Sequence, residues 1–80
     1  MKQIKMLYFA KLKEETGVDS ETVSTSAHTA ANLYDELRDR YLFSLDSSVT
    51  QVAINEEFAT MNTELTDGDQ VVFIPPVAGG

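Results

Sequence analysis

The chain contains no cysteine, one histidine, two prolines, and only six basic residues against thirteen acidic ones. Without a thiol there is no disulfide framework, no iron-sulfur or zinc-thiolate site and no cysteine nucleophile, so any sulfur chemistry would have to run through the C-terminus. The lone histidine, His28, has no serine or cysteine arrangement around it that would make a triad, and it reads as a loop or helix-entry residue. No stretch approaches the roughly 20 apolar residues of a membrane span. The start, Met1-Lys2-Gln3-Ile4, lacks a signal peptide's apolar region, which predicts a cytoplasmic protein. A formal net charge of -7 argues against nucleic acid and favours a partner with a basic docking surface. Eighty residues supply one small domain with a modest core and no deep catalytic pocket, so chemistry is expected to be shared with a partner.

What the chain does have is concentrated at its end, Pro75-Pro76-Val77-Ala78-Gly79-Gly80. Two glycines without Cβ atoms make a backbone narrow enough to enter another protein's active site and present a bare carboxylate. The prolines fix φ and favour an extended path, and six residues at ~3.3 to 3.6 Å each reach about 20 Å at most. This divides the chain into a domain over residues 1–74 and an extended tail over 75–80.

Within the domain, residues 4–10 predict a strand with Ile4, Met6 and Tyr8 on one face and Lys5, Leu7 and Phe9 on the other. The lysine assigns the second face to water, which leaves Leu7 and Phe9 exposed. Lys11 to Thr16 forms a helical turn that Gly17 ends, and Ser20 to Ser26 a second, more exposed strand. From Thr29, an N-cap candidate beside Ser26, the positions Ala30, Leu33, Tyr34, Leu37 and Tyr41 trace one face of the main helix. Glu36 and Arg40 pair across one turn, and Asp35, Glu36 and Asp39 make a solvated face in which Arg38 and Arg40 oppose a metal ion. Leu42 to Leu45 continues the core, Val49 to Asn55 is a strand, and Asn55-Glu56-Glu57 turns Phe58 back toward the sheet. Thr66-Asp67-Gly68-Asp69 is a turn with too few ligands for calcium. Gln70 to Ile74 is the last strand, with Val71 and Phe73 on one face and Gln70, Val72 and Ile74 on the other, ended by Pro75. Tyr8, Tyr34 and Tyr41 are expected at the core edge with their hydroxyls in water. One helix covers one sheet face, so apolar residues on the other need a separate explanation.

This order of elements is α+β, a mixed sheet packed on one main helix with an extended Gly-Gly tail, and it resembles the ubiquitin-like β-grasp family. More specifically it is similar to the small, sulfur-carrying subunits of molybdopterin synthase. The resemblance rests on Leu7-Tyr8-Phe9-Ala10, Ala53-Ile54-Asn55, Leu65-Thr66-Asp67-Gly68-Asp69 and Phe73-Ile74-Pro75-Pro76-Val77-Ala78-Gly79-Gly80. It implies that Gly80 is adenylated by an activating enzyme using ATP and magnesium, then thiocarboxylated by a sulfur donor protein. The thiocarboxylate would enter the synthase large subunit and give its sulfur to cyclic pyranopterin monophosphate, in an assembly of two large and two small subunits. The chain would then be no enzyme by itself. It would bind no metal or cofactor, and Pro75, Pro76, Val77, Ala78 and Gly79 would thread the tail. The resemblance further implies that Phe9, Phe58 and Ile74 meet the large subunit; sequence leaves open that all three are core. It also leaves open a sulfur carrier for thiamine or another product, and a protein modifier joined to lysines.

Overall fold

Alternating apolar residues near the N-terminus produce the first strand, β1 (Lys2–Leu7), which pairs antiparallel with β2 (Ser20–Thr25) across a connection holding a short helix, α1 (Ala10–Thr16). The main helix α2 (Ala30–Tyr41) follows, then a 3-10 turn at Ser47–Val49, β3 (Gln51–Ile54), β4 (Glu57–Ala59) and β5 (Gln70–Ile74). The strands form one sheet in the order β2-β1-β5-β3-β4; β1 and β5 run parallel, and the other neighbours are antiparallel. This computed structural model describes residues 1–76. The expectations for Val77, Ala78, Gly79 and Gly80 lie outside the described residues.

The helix forms where its sequence has the means to start and to bury. Thr29 accepts the Asn32 N–H at 3.2 Å while its own N–H donates to the Asn32 side chain at 3.4 Å, so each residue caps the other. Such a cap is worth about 1 kcal/mol. Ala30, Leu33, Tyr34 and Leu37 are buried along the stripe that faces the sheet, against Ile4, Met6, Val23, Val52, Val71 and Phe73. Gly17 ends α1 with φ 79, a left-handed conformation that favours glycine. The hairpin between β3 and β4 turns through Asn55 at φ 53 and Glu56 at φ 71, the two positive dihedrals that a tight right-twisted hairpin needs.

The first strand begins two residues before expectation, because Lys2 and Gln3 pair with Thr25 and Ser24, and three other strand ends differ because a local hydrogen bond wins over strand pairing. The first strand stops at Leu7, since the Phe9 carbonyl accepts the N–H groups of Leu12 and Lys13 and starts α1. The parity of the segment survives, because Tyr8 is still buried on the side of Ile4 and Met6. At the end of β2, the Thr25 hydroxyl oxygen accepts the Ala27 N–H at 3.0 Å, so Ser26 falls outside the strand. Asp46 accepts the Ser48 N–H at 3.0 Å and caps the 3-10 turn, which removes Val49 and Thr50 from β3. Leu42 is 80 % exposed in a left-handed C-cap, and Phe43 takes its expected place in the core. The tyrosine hydroxyls are the clearest correction: those of Tyr8 and Tyr34 donate to Glu21 and to the Leu45 carbonyl rather than reaching water, because both rings are fully buried and a buried hydroxyl needs a partner.

Candidate functional site: the outer sheet face and the root of the tail

β5 is the middle strand and carries the tail, so its two faces organise the site. Val71 and Phe73 point into the core with no exposure, while Val72 and Ile74 are only half-buried on the opposite face. Pairing extends that outer face sideways. Leu7 is opposite Val72, Val72 opposite Ala53, and Ala53 opposite Phe58, giving one apolar row across β1, β5, β3 and β4. Phe58 ends the row at 79 % exposure. Cross-strand neighbours of this kind stand about 5 Å apart, so the four side chains form a continuous surface.

Beside this row, an apolar groove of about 780 Å³ lies where the chain leaves the sheet. Phe9, Lys11, Leu45, Val72, Ile74 and the two prolines line it. Phe9 is 56 % exposed at the N-cap of α1, and the next residue, Ala10, has φ 51. A left-handed residue with a Cβ costs on the order of 1–2 kcal/mol, so the turn that presents Phe9 is strained.

The three residues expected to meet a partner are therefore all at least partly open to water, but they do not form one cluster. Phe9 and Ile74 share the groove; Phe58 lines a separate depression with Gln51 and Met61, and joins the others only through Ala53 and Val72. Pro75 is half-buried and Pro76 exposed. The alternation along the sequence placed Leu7 and Val72 on this face and left Leu7 exposed, but neither was among the residues expected to meet a partner. Leu45, expected in the core, is half-buried and lines the groove instead, and Ala53 takes its place in the row only through strand register.

Electrostatics sharpen the region behind Phe9. The hydroxyls of Tyr8 and Tyr41 both donate to Glu21 Oε2 at 2.6 Å. Burial, reinforced by this bond, pushes the Tyr8 pKa far up, and for Tyr41 the bond to Glu21 is the leading cause of a rise. On α1, Lys13 pairs with Asp19 at 2.7 Å, and that bond raises its pKa. Among the described residues no cluster of three or more histidine, aspartate or glutamate side chains could hold a metal ion, and no helix is long and apolar enough to cross a membrane.

The model of the ThiS family matches residues 6–80. The chain belongs to the ThiS family. Among curated relatives of this ThiS-family chain, the molybdopterin synthase sulfur carrier subunit of Escherichia coli K12 is 35% identical over 80 residues, covering 96% of this chain and 99% of that one. The small archaeal modifier protein 1 of Haloferax volcanii has the same fold at a TM-score of 0.79 and 24% identity, covering 96% of this chain and all of the other. Subunits 1 and 2 of the molybdopterin-converting factor of Helicobacter pylori 26695 have been solved as a complex, which provides a match at TM-score 0.65 and 25% identity, covering 98% of this chain and 99% of that one. The ThiS-family chain thus has the ubiquitin-like β-grasp fold, as its order of elements implied.

Proposed function

We propose that this chain is the sulfur carrier subunit of molybdopterin synthase, with Gly80 as the group that carries the sulfur. The observation that bears most of the weight is the similarity to the Escherichia coli sulfur carrier subunit over 96% of this chain, beside a family match that runs to residue 80. The outer sheet face supports the same reading: an apolar row and groove adjoin the point where β5 delivers Pro75.

Chemically, a carboxylate is a poor electrophile. An activating enzyme would therefore join the Gly80 carboxylate to AMP, using ATP and magnesium on its own surface and releasing pyrophosphate. A sulfur donor protein then replaces the AMP with sulfur, leaving a thiocarboxylate. Gly79, with no side chain, keeps the tail narrow as Pro75 to Ala78 lead it into the large subunit, where the sulfur goes to cyclic pyranopterin monophosphate. The chain supplies the reactive terminus and the docking face, and its partners supply the catalytic pockets, in an assembly of two large and two small subunits.

The test is the intact mass of the protein isolated with its activating enzyme and sulfur donor. The expected result is replacement of one oxygen by one sulfur, and pterin-forming activity on adding the large subunit. A variant with one residue added after Gly80 should keep its circular dichroism and lose that activity. Full activity from the extended variant overturns the reading; isopeptide conjugates to lysines, with no transfer to the pterin, would replace it with the modifier reading.

A further inference from the structure

Phe9 is presented by a turn that local preference does not favour. Its carbonyl starts α1 by accepting the Leu12 N–H at 3.1 Å and the Lys13 N–H at 3.3 Å, yet its side chain makes no cap bond. Ala10 then adopts φ 51, a conformation that residues with a Cβ avoid unless their surroundings hold them. The restraint on the N-terminal side is Tyr8. Its N–H donates to the Asp19 carbonyl at 2.9 Å, its ring is 1 % exposed, and its hydroxyl donates to Glu21. Tyr41, at the end of α2, donates to the same Glu21 oxygen, with its ring edge-on to Tyr8 at 6.2 Å and stacked on Phe43 at 5.9 Å. One oxygen atom thus ties the end of β1, the strand β2 and the end of α2 together.

A phenylalanine at position 8 would fill nearly the same volume with no hydroxyl to satisfy. What the tyrosine pair adds is direction, because a hydrogen bond from a buried ring to a partly buried carboxylate penalises every orientation that breaks it. We propose that Glu21 is the positioning residue of the Phe9 anchor, its bonds to Tyr8 and Tyr41 holding the strained Tyr8-Phe9-Ala10 turn so that Phe9 faces the synthase large subunit before docking. The proposal rests on the function argued above. Its benefit is preorganisation: an anchor already held in its bound orientation has less freedom to lose on association.

The experiment is a double-mutant cycle read by calorimetric titration of the chain with purified molybdopterin synthase large subunit. Glu21→Ala should weaken association at least tenfold in the native background and less than twofold when Phe9→Ala is already present, since Glu21 acts only through Phe9. Glu21→Gln, which keeps an acceptor oxygen, should recover affinity to within threefold. Amide exchange on the free chain gives a readout that needs no partner: Leu12 and Lys13 should exchange at least tenfold faster in Glu21→Ala, with Leu37 unchanged. Should Glu21→Ala fail to fold, Tyr41→Phe removes one arm of the clamp and enters the same cycle, with a loss of at least threefold expected only when Phe9 is present. Unchanged affinity in a folded variant, or an equal loss with and without Phe9, overturns the proposal while leaving the functional reading intact. Absence of binding by the unsubstituted chain overturns the functional reading itself, and the positioning role with it.

Discussion

Val71 and Val72 are the same residue at adjacent positions of the same strand, yet one has no exposure and the other is half-open on the face that carries Phe58 and Ile74. The inner face is packed against Leu33, Tyr34 and Leu37 of α2, whereas the outer face continues as an apolar row toward the groove at the tail's root. Composition does not separate the two faces. Coverage by the helix does, and the lesson is that apolar residues in a small domain can serve stability on one side of a sheet and association on the other.

The largest effect should come from the inner face. Phe73→Ala removes a ring packed edge-on against Tyr34 at 5.0 Å and should cost about 3–5 kcal/mol in chemical denaturation. In a domain whose total stability is of order 5–15 kcal/mol, that approaches unfolding. The valine pair gives the sharpest form of the comparison. Val71→Ala should cost about 2–3 kcal/mol and Val72→Ala less than about 1 kcal/mol in the same assay, because only the first leaves a cavity. Equal losses would show that the outer face is structural core after all.

Phe9→Asp reverses the pattern. It should weaken association with the large subunit more than tenfold, or about 1.4 kcal/mol, by driving an unpaired charge into an apolar contact. The melting temperature should hardly move, since the ring is 56 % exposed already. Collapse of the melt would place Phe9 with the inner face.

The smallest effect concerns an exposed group. Asp46 has its pKa lowered, chiefly by the Ser48 N–H, with Arg38 at 3.8 Å adding to it. A depressed carboxylate pKa contributes stability above its unfolded value of about 4 and loses it as pH falls through the lower folded value. Melts across that acidic window should therefore flatten slightly in Asp46→Asn. A response as large as that of the core variants would contradict the water-facing assignment.

Much of this was legible in the chain itself. Thr29 as the helix cap, Gly17 as the end of α1 and the Asn55-Glu56 turn depend on contacts within a few residues, and the span Gln70–Ile74 is marked by a turn before it and a proline after it, so local rules found them. Parity along β5 and through Leu7 and Phe9 also survived, since the period of a strand is a property of its backbone. The 3-10 turn at Ser47–Val49 was not foreseen, because the Asp46 side chain competes with a strand ladder whose strength depends on distant partners.

By itself the sequence determined which residues alternate, where the helix begins, and that a side-chain-free pair, Gly79-Gly80, follows two prolines. The tertiary structure decided the rest. It alone placed Ala53 between Val72 and Phe58, brought Leu45 to the groove beside Phe9, and turned the hydroxyls of Tyr8 and Tyr41 onto one oxygen of Glu21. The physical reason is range. Capping, turning and alternation are settled by neighbours along the chain, whereas register and buried hydrogen bonds are settled by groups that become neighbours only when the sheet closes on its helix.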